Sequence, residues 1–563
     1  MKLNTLLMLT LVVFVVTSCG TKKASEETLE NNYQGCINIP EETFPMCEDY
    51  VNERLAIFAP FELKSDLSHL TDNERKIVNI LWDVADIMDD LYWKQTIGQR
   101  DKFLNSIQDP NTKAFAKIMY GPWDRLNDNI SFIDPFMEKP KGANFYPVDM
   151  TVEEFEKLND PNKRSGYTLI RRDDNGNLKV VWYHDAYKSQ LEKASELMRQ
   201  AAAYADDPGL KNYLESRAEA LVTSDYQPSD FAWMQMQNAN IDFVVGPIEN
   251  YEDALFGYKC AFESFILIKD PDWSAKLSKY SKMLPDLQKR LPVVEKYKSE
   301  MPGTDSDINV YDAIYYRGDC NAGSKTIAIN LPNDEEVHKT IGSRKLQLKN
   351  SMKAKFDKIV VPISEIILDE SQLQHVKFDA FFENVTFHEV GHGMGVKSLV
   401  NDPNATVRDA LKEQYSAIEE AKADIMGLYL VSQLYEMGEY PEKDLTDNYV
   451  TFFTGIFRST RFGAASAHGK ANMMVFNKLE QLGAFTRNEK TGKYTVHFEK
   501  MKTAVSEILS LILILQGDGN YDGTKRLIQE EGIVKPVLQS DLDRINEASI
   551  PVDIVFTQGK HLF

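Results

Sequence analysis

The chain has 563 residues and a formal net charge of −21 at neutral pH, with 43% hydrophobic and 26% charged residues. This length allows more than one domain or lobe, each with a substantial apolar core. The excess of acidic side chains argues against nucleic acid as a partner, because phosphate binding requires clustered Lys and Arg.

The first residues predict an export signal that does not belong to the fold. Lys2 precedes an apolar run, residues 6–16, that is too short to span a bilayer comfortably. The next residues, Val16-Thr17-Ser18-Cys19, resemble a bacterial lipobox, in which cleavage precedes a Cys that receives lipid. We therefore expect a signal peptide over 1–18 and a membrane attachment through an N-terminal lipid anchor on Cys19. The alternative is an ordinary secretory signal with an incidental Cys.

The residue after this Cys is not Asp, so retention in the inner membrane is not indicated. We expect an exported lipoprotein of the outer membrane, on its periplasmic or surface side. Residues 19–45 are polar and predict a flexible tether. Cys36 and Cys47 lie close together in this exported part of the chain and could form a disulfide, which the sequence cannot establish.

The first half of the chain predicts mainly helices. Between about 46 and 235, apolar residues recur at helical spacing, as they do from Ile77 to Ile87, and residues 185–222 predict two further helices. A β-hairpin over 167–183 interrupts this pattern, because β-forming segments flank the turn sequence Asn175-Gly176.

The middle of the chain predicts strands around a helical insert. A strand begins at 241 and is expected to end at Gly246-Pro247, whereas residues 272–300 predict a charged helical segment. Residues 326–334 then predict a buried strand that leaves the core at an Asn-x-x-Asn turn.

The last part of the chain predicts a helical region with one small hairpin, residues 484–498, that turns at Thr491-Gly492. The expected helices are 345–358, 384–395, 407–437, 446–458, 466–482 and 501–516.

The helix expected over 384–395 carries the pattern His388-Glu389-Val390-Gly391-His392. Two histidines four residues apart share one face of a helix, so both imidazoles can bind the same metal ion. Glu389 would then lie beside the open coordination position, where a carboxylate can act as a base on metal-bound water. The spacing predicts the site of a zinc hydrolase, and the alternative is a coincidental pentapeptide.

A second expected helix offers the third protein ligand. It contains Glu419, Glu420 and Asp424 in a segment that is otherwise apolar or small. A Glu on a separate helix commonly completes a His-His-Glu zinc site. Asp424 lies one turn after Glu420 and could accept a hydrogen bond from the far nitrogen of a ligand His. Taken alone, this stretch could equally be an exposed acidic helix face.

Together, the segments 388–392 and 419–424 resemble the two zinc motifs of the dipeptidyl peptidase III family of metallopeptidases. The resemblance implies that His388, His392 and Glu420 bind one Zn²⁺ per chain. We expect Glu419 and Asp424 to support these ligands, and Glu389 to act as the catalytic base.

Further segments of the chain resemble the same family and keep their order over about 240–470. They are Gly246-Pro247-Ile248-Glu249-Asn250-Tyr251, Asn330-Leu331-Pro332-Asn333 and Ala467-His468. The resemblance implies that Asn330 and Asn333 hold the free amino terminus of a peptide. It also implies that Asp242 and Glu249 contact the substrate and that His468 assists the transition state.

The sequence departs from the family pattern at three points. The family motif usually has one more residue between its two histidines; the shorter form found here also occurs in some bacterial members and in plant relatives fused to a Nudix domain. Val244 stands where the family has a Tyr that steadies the tetrahedral intermediate, and Asp242 stands where it has a Glu. Loss of one such donor can reduce the rate by about two to three orders of magnitude.

The resemblance implies a zinc-dependent metallopeptidase that releases dipeptides from the amino end of short peptides. Two alternatives remain open: a zinc hydrolase of the same fold with a different small substrate, and a lipid-anchored peptide-binding protein with little turnover. The intact Glu389 argues against the second, because a protein that only binds peptides needs no base. No oligomeric state is indicated.

By the same resemblance the fold is α+β and mostly α, with two lobes around a wide cleft. One lobe is helical and binds zinc, and the other is mixed α/β. The expected segments after the tether are 46–262 (mixed lobe), 263–304 (helical segment of the zinc lobe), 305–345 (strands of the mixed lobe), 346–530 (zinc lobe) and 531–563 (return to the mixed lobe).

Overall fold

The computed structural model describes residues 37–302, 307–440, 442–461 and 466–563. The expected signal peptide, the lipidated Cys19 and one partner of the expected disulfide, Cys36, lie outside these ranges, so those expectations stay predictions. Within them, no helix has the length and apolar character needed to cross a bilayer.

The protein has the expected α+β fold, mostly α, with two lobes that each surround their own hydrophobic core. The larger core is built mainly by residues between Ile39 and Ile268, and Ile554 and Phe556 near the C-terminus join it. The second core is almost entirely helical and extends from Leu277 to Ile550.

A five-stranded mixed sheet forms the centre of the mixed lobe. Its strands are β1 (Ile241–Glu249), β2 (Ala261–Lys269), β3 (Asp307–Gly318), β4 (Ala328–Leu331) and β5 (Arg344–Leu348), in the spatial order β4-β5-β3-β2-β1. Strands β3 and β5 are parallel, and the other neighbours are antiparallel. The sheet therefore has two edges, β4 and β1.

Helices and small strand pairs surround this sheet. The helices are Glu48–Ala56, Asp72–Thr96, Arg100–Ser106, Pro110–Met119, Val152–Lys157, Tyr183–Ala186, Lys188–Tyr204, Pro208–Thr223, Gln227–Gln235 and Glu335–Ile341. The strand pairs are Phe44–Pro45 with Ile133–Asp134, Trp123–Asp124 with Ile130–Ser131, Thr168–Arg172 with Leu178–Trp182, and Phe58–Glu62 with Asp553–Thr557.

The helical lobe begins after β2 and resumes after β5. Its helices are Pro271–Ser281, Leu284–Lys289, Lys349–Lys355, Val361–Ile367, Phe378–His392, Val407–Leu411, Tyr415–Glu436, Leu445–Thr460, Ala467–Gln481, Phe498–Gly517, Tyr521–Glu531 and Pro536–Glu547. A π-helical turn, Phe356–Val360, joins two of them, and the lobe also contains the strand pairs Ser398–Leu399 with Asp402–Thr406 and Phe485–Arg487 with Tyr494–Val496.

The strongest sequence patterns are confirmed. The expected hairpin over 167–183 pairs Arg172 with Leu178 around the Asn-Gly turn, and the second hairpin pairs Arg487 with Tyr494. The helix predicted from Ile77 to Ile87 is the central part of Asp72–Thr96, which begins with a capping box between Thr71 and Glu74.

Three predicted boundaries are wrong, for reasons of tertiary structure. Strand β1 continues through Gly246-Pro247 to Glu249, because a sheet edge tolerates a residue that cannot donate a hydrogen bond. Residues 345–348 were expected to be helical but form β5, which pairs with β3. The helix expected over 407–437 is divided near Lys412, which has a φ of 51°.

The chain also returns to the mixed lobe later than the expected position of 531. Helix Pro536–Glu547 packs in the helical core through Leu538, Leu542 and Ile545. Only the following strand, Asp553–Thr557, crosses to the mixed lobe, where it pairs in parallel with Phe58–Glu62.

Candidate metal centre

Two helices cross closely enough to bring their polar side chains together. We call Phe378–His392 the motif helix and Tyr415–Glu436 the glutamate helix. A Cβ at Gly427 would lie 2.7 Å from the backbone nitrogen of His388, and one at Gly391 would lie 3.0 Å from the carbonyl oxygen of Ala423. Any side chain at these glycines would push the helices apart, so the glycines fix the separation of the two helices.

The crossing brings His388, His392 and Glu420 together, as the sequence predicted. Ligand atoms of these three residues lie within 4.8 Å of one another. The Oε2 atom of Glu420 is 3.3 Å from Nε2 of His388 and 3.6 Å from Nε2 of His392.

One carboxylate faces the far nitrogen of each motif histidine. The Nδ1 atom of His388 lies 2.7 Å from Oδ1 of Asp424, and Nδ1 of His392 lies 3.1 Å from Oε1 of Glu419. Because a carboxylate only accepts hydrogen bonds, each Nδ1 carries a proton, and Nε2 is the nitrogen that each ring can offer to a metal ion.

This arrangement fits a metal ion. The buried Oε2 of Glu420 has no hydrogen-bond partner among the described residues, although it faces both Nε2 atoms. Three ligand atoms that converge in this way repel one another unless a cation or a proton lies between them. Two imidazoles and one carboxylate are a donor set that suits a divalent transition metal with a further open position.

The electrostatics of the site favour charged Glu420. Burial raises the pKa of its carboxyl, but His388 and His468 outweigh burial and lower that pKa well below its usual range. Burial likewise opposes a charge on His388, whereas the neighbouring Asp424 raises its pKa to about 10. Without a metal ion, a proton therefore takes the position on His388 that a metal would occupy.

A buried lysine and a glutamine hold Glu419 in place. The Nζ atom of Lys422 is 2.8 Å from Oε1 of Glu419, and it also donates hydrogen bonds to the carbonyl oxygens of Gly391 and Met394 at 2.8 and 2.9 Å. Gln516, on helix Phe498–Gly517, donates to Oε2 of Glu419 at 2.9 Å. Lys422 thus ties the end of the motif helix to the carboxylate that orients His392.

His468 lies at the same centre, in the first turn of helix Ala467–Gln481. Its Nδ1 is 3.1 Å from Oε2 of Glu420, the oxygen that the motif histidines also face. Its side chain is 65% exposed, so it can also contact a bound substrate. The hydroxyl of Ser466 caps this helix by accepting a hydrogen bond from the backbone of Gly469.

Glu389 faces a cavity of about 500 Å³ next to the metal ligands. His388, Asp424 and His468 line the same cavity. The ammonium of Lys345, on strand β5 of the mixed lobe, donates a hydrogen bond to the carbonyl oxygen of Glu389 at 2.8 Å. The expected base is therefore placed beside the metal ligands at the junction of the two lobes.

A second cavity, of about 560 Å³, lies in the mixed lobe. We call it the amino-end pocket, after the expectation from the sequence that residues in this region hold the amino terminus of a peptide. Glu249 and Asn333 line it, and the amide of Asn333 donates a hydrogen bond to the carbonyl oxygen of Ile248 at 3.2 Å. Burial raises the pKa of Glu249 above its usual value. Asn330 is exposed on the edge strand β4, three residues before Asn333.

The structure does not bring Asp242 to the surface of either cavity, which contradicts the expectation that it binds substrate. Its side chain is fully buried, 3.1 Å from the guanidinium of Arg344, and it accepts a hydrogen bond from the indole of Trp233 at 2.8 Å. The residue expected to hold a substrate ammonium instead neutralises a buried Arg on another strand of the same sheet. Val244, by contrast, does line the amino-end pocket.

Three residues of the site, Lys422, Gln516 and Lys345, were not expected from the sequence. Lys422 lies within the segment 419–424, and its helical offset of three from Glu419 was an available signal. No such signal exists for Gln516, which lies 97 residues from Glu419 in the chain.

Comparisons with known proteins show which chains this one is similar to. The model of peptidase family M49 matches residues 155–407. A curated relative, Nudix hydrolase 3 of Arabidopsis thaliana, is 32% identical over 90% of this chain and 73% of its own length.

Two solved structures are similar over nearly their full length. One is dipeptidyl peptidase III from Caldithrix abyssi, with 38% identity, a TM-score of 0.85 and coverage of 91% of this chain and 100% of the other. The second is dipeptidyl-peptidase III from Corallococcus sp. strain EGB, with 33% identity, a TM-score of 0.73 and coverage of 92% and 97%.

Proposed function

The chain belongs to the dipeptidyl peptidase III family, peptidase family M49, and from this membership we propose that it is a zinc-dependent exopeptidase that releases dipeptides from short peptides. The observation that carries the proposal is the convergence of His388, His392 and Glu420 beside the carboxylate of Glu389. A zinc ion held there would supply Lewis-acid chemistry toward a peptide carbonyl and toward water.

The residues around that position have complementary tasks. Glu389 accepts a proton from the attacking water and passes it to the nitrogen of the departing amine. His468 donates a hydrogen bond to the oxygen of the attacked carbonyl, where negative charge develops. Asp424 and Glu419 keep a proton on each Nδ1 of the motif histidines, so that each Nε2 stays available for the metal.

The amino-end pocket supports a function as an exopeptidase. We propose that the carboxylate of Glu249 and the amides of Asn330 and Asn333 bind the free amino group of the substrate. Glu249 and Asn333 line the same cavity, and an ammonium there would relieve the cost of burying the Glu249 charge. A fixed distance between this pocket and Glu389 would select the second peptide bond.

Val244 favours a second candidate function, a zinc hydrolase that acts on another small substrate. This residue lines the amino-end pocket and has no hydrogen-bond donor in its side chain. Where the family has a Tyr, the chain therefore lacks one stabilising contact to the reacting carbonyl, which would slow peptide hydrolysis by about two to three orders of magnitude.

Metal analysis and a substrate panel test both candidates. Purified protein should contain about one zinc per chain, release naphthylamine from dipeptidyl-naphthylamides and release dipeptides from a peptide library, with all activity lost after chelation and restored by Zn²⁺. Chelator-sensitive hydrolysis of other compounds, without any dipeptide release, would favour the second candidate. Activity that survives complete metal removal would refute both.

We further propose, from the lipobox pattern alone, that the mature protein begins at Cys19 and is anchored to the outer membrane by lipid. Labelled fatty acid should be incorporated into the wild-type protein and not into Cys19→Ser. Equal labelling of both proteins would contradict the proposal.

A further inference from the structure

The cavity at the metal centre extends beyond the metal ligands along helix Leu445–Thr460. This helix contributes Thr451, Phe452, Gly455, Ile456, Arg458 and Ser459 to the wall, and Phe381 and Val385 of the motif helix face them. The wall is thus largely apolar, and Arg458 is the permanently charged group that this helix adds to it.

The guanidinium of Arg458 has no hydrogen bond and no ion pair with any residue in the described parts of the chain. The side chain is half-buried, and its burial lowers the pKa of Arg458 from its usual value. A half-buried guanidinium without a protein partner is unfavourable, because it has lost water and gained no acceptor. It is therefore prepared to bind an anion that enters the cavity.

The surroundings of Arg458 are electropositive. Asp553 is the acidic residue whose charge acts on Arg458, but its carboxylate is 3.2 Å from the ammonium of Lys355 and accepts a hydrogen bond from Ser324 at 2.8 Å. Lys325 is also buried nearby, and burial lowers its pKa to about 8. The single carboxylate of Asp553 thus lies near three cationic side chains, those of Arg458, Lys325 and Lys355.

The lining of the same cavity also contains acidic side chains. These are Glu389 and Asp424, and both belong to the metal centre. The lining of the cavity therefore combines the carboxylates of the metal centre with a guanidinium that has no partner among the described residues. This charge distribution favours a ligand that places its negative group at Arg458.

The position of the amino-end pocket indicates which part of a peptide reaches Arg458. Leu331 and Asn333 line that pocket, whereas Ile327, just before the same edge strand, lines the cavity with Arg458. A peptide whose amino group lies near Asn333 would follow this strand toward Glu389, so the residues beyond the scissile bond would enter the helical lobe.

We propose that Arg458 forms a subsite that binds a carboxylate on the part of the peptide beyond the scissile bond. The carboxylate is either the free C-terminus of a short peptide or the side chain of an Asp or Glu. The inference rests on the proposed function, because it takes the orientation of the peptide from amino-end recognition.

The experiment compares peptides that differ in one carboxylate. Tri-, tetra- and penta-alanine are compared with their C-terminal amides, and Ala-Ala-Glu-Ala-amide is compared with Ala-Ala-Gln-Ala-amide. For wild type we expect a KM about tenfold or more lower for the carboxylate member of at least one pair, as for a charge-assisted hydrogen bond. The pair that shows the difference identifies the source of the carboxylate.

In Arg458→Gln the ratio of the two KM values should fall close to one, and Arg458→Lys should retain part of it, since Lys keeps the charge but not the planar fork. Arg526→Gln is the matched control, because Arg526 is an exposed Arg of the same lobe and its loss changes the net charge equally. This control should keep the wild-type ratio. Thermal unfolding of each variant verifies that it is folded.

The outcomes separate the two proposals. If wild type releases no dipeptide from any peptide, the proposed function fails. If wild type releases dipeptides but no pair shows a preference for the carboxylate, or if Arg458→Gln and Arg458→Lys both keep the full preference, the carboxylate subsite is refuted and the proposed function stands.

Discussion

The metal centre and the amino-end pocket lie in different lobes and are built by different kinds of structure. The metal centre stands on helices, where spacing along the chain decides which side chains share a face, and its expected residues converge. The amino-end pocket is formed by strands, turns and helices, and the expected residues near it come from strands and turns. One of these residues, Asp242, has its side chain buried in the core. A role inferred from helical spacing therefore needs less tertiary information than a role inferred from a position on a strand.

The largest expected effect tests the chemistry of the metal centre. Glu389→Gln removes the base but keeps the size of the side chain, so kcat should fall about 10²- to 10⁴-fold while the zinc content stays at wild-type level. Steady-state kinetics and metal analysis on the same preparation measure both quantities. Glu507→Gln, an exposed Glu of the helical lobe, is the control and should behave as wild type. Unchanged turnover in Glu389→Gln would show that another group takes the proton.

The next effect tests whether Asp242 stabilises the fold by pairing with Arg344 rather than binding substrate. Asp242→Ala leaves the buried charge of Arg344 without its carboxylate, so the free energy of unfolding should fall by about 3–5 kcal/mol. Denaturant unfolding measures this loss, with Asp174→Asn at the exposed hairpin turn as the control. A stable variant with a strongly raised KM for peptides would instead restore Asp242 as a substrate-binding residue.

The same contrast shows how much the sequence predicted. Both hairpins and the placement of His388 and His392 on one helix face followed from turn residues and motif spacing. The α+β fold with two lobes and the role of Glu420 followed from the resemblance to the family. The burial of Asp242 against Arg344 did not follow, because the two residues lie on strands that are not neighbours in the sheet, and only the tertiary structure brings their side chains together. The contact between Gln516 and Glu419 was hidden for the same reason.

A smaller effect concerns the residues that support the metal ligands. Asp424→Asn removes the carboxylate that holds the proton on Nδ1 of His388, so zinc affinity should fall about 10- to 100-fold. Competition with a chromophoric chelator measures the dissociation constant. Asp522→Asn, an exposed position on helix Tyr521–Glu531, serves as the control. Equal affinities in wild type and Asp424→Asn would show that the imidazole needs no carboxylate to orient it.

The pH dependence of metal binding tests the effect of Asp424 on His388 in a second way. The metal-free protein holds His388 protonated up to a pKa of about 10, because Asp424 outweighs the effect of burial. Metal binding must displace that proton, so apparent zinc affinity should rise with pH, by up to about tenfold per unit below this pKa. Proton release on zinc addition to unbuffered protein measures it. An affinity that is independent of pH between 6 and 8 would contradict the protonation of His388.

The smallest effect is expected in the amino-end pocket. Asn333→Ala removes one neutral donor beside Glu249, so KM should rise only about threefold to tenfold with little change in kcat. Initial rates on peptides with a free amino end measure it, and Asn488→Ala at the distant hairpin 485–496 is the control. A fall in kcat as large as that of Glu389→Gln would mean that this pocket participates in the chemistry.

The glycines at the helix crossing have a consequence for any relative motion of the two lobes. Gly391 and Gly427 allow the motif helix to pack closely against the glutamate helix, so all three expected metal ligands belong to the helical lobe. Opening or closing of the two lobes would then control the entry of substrate and the exit of product, while a bound metal ion keeps its coordination. Turnover could be repeated many times without the ion being lost between rounds.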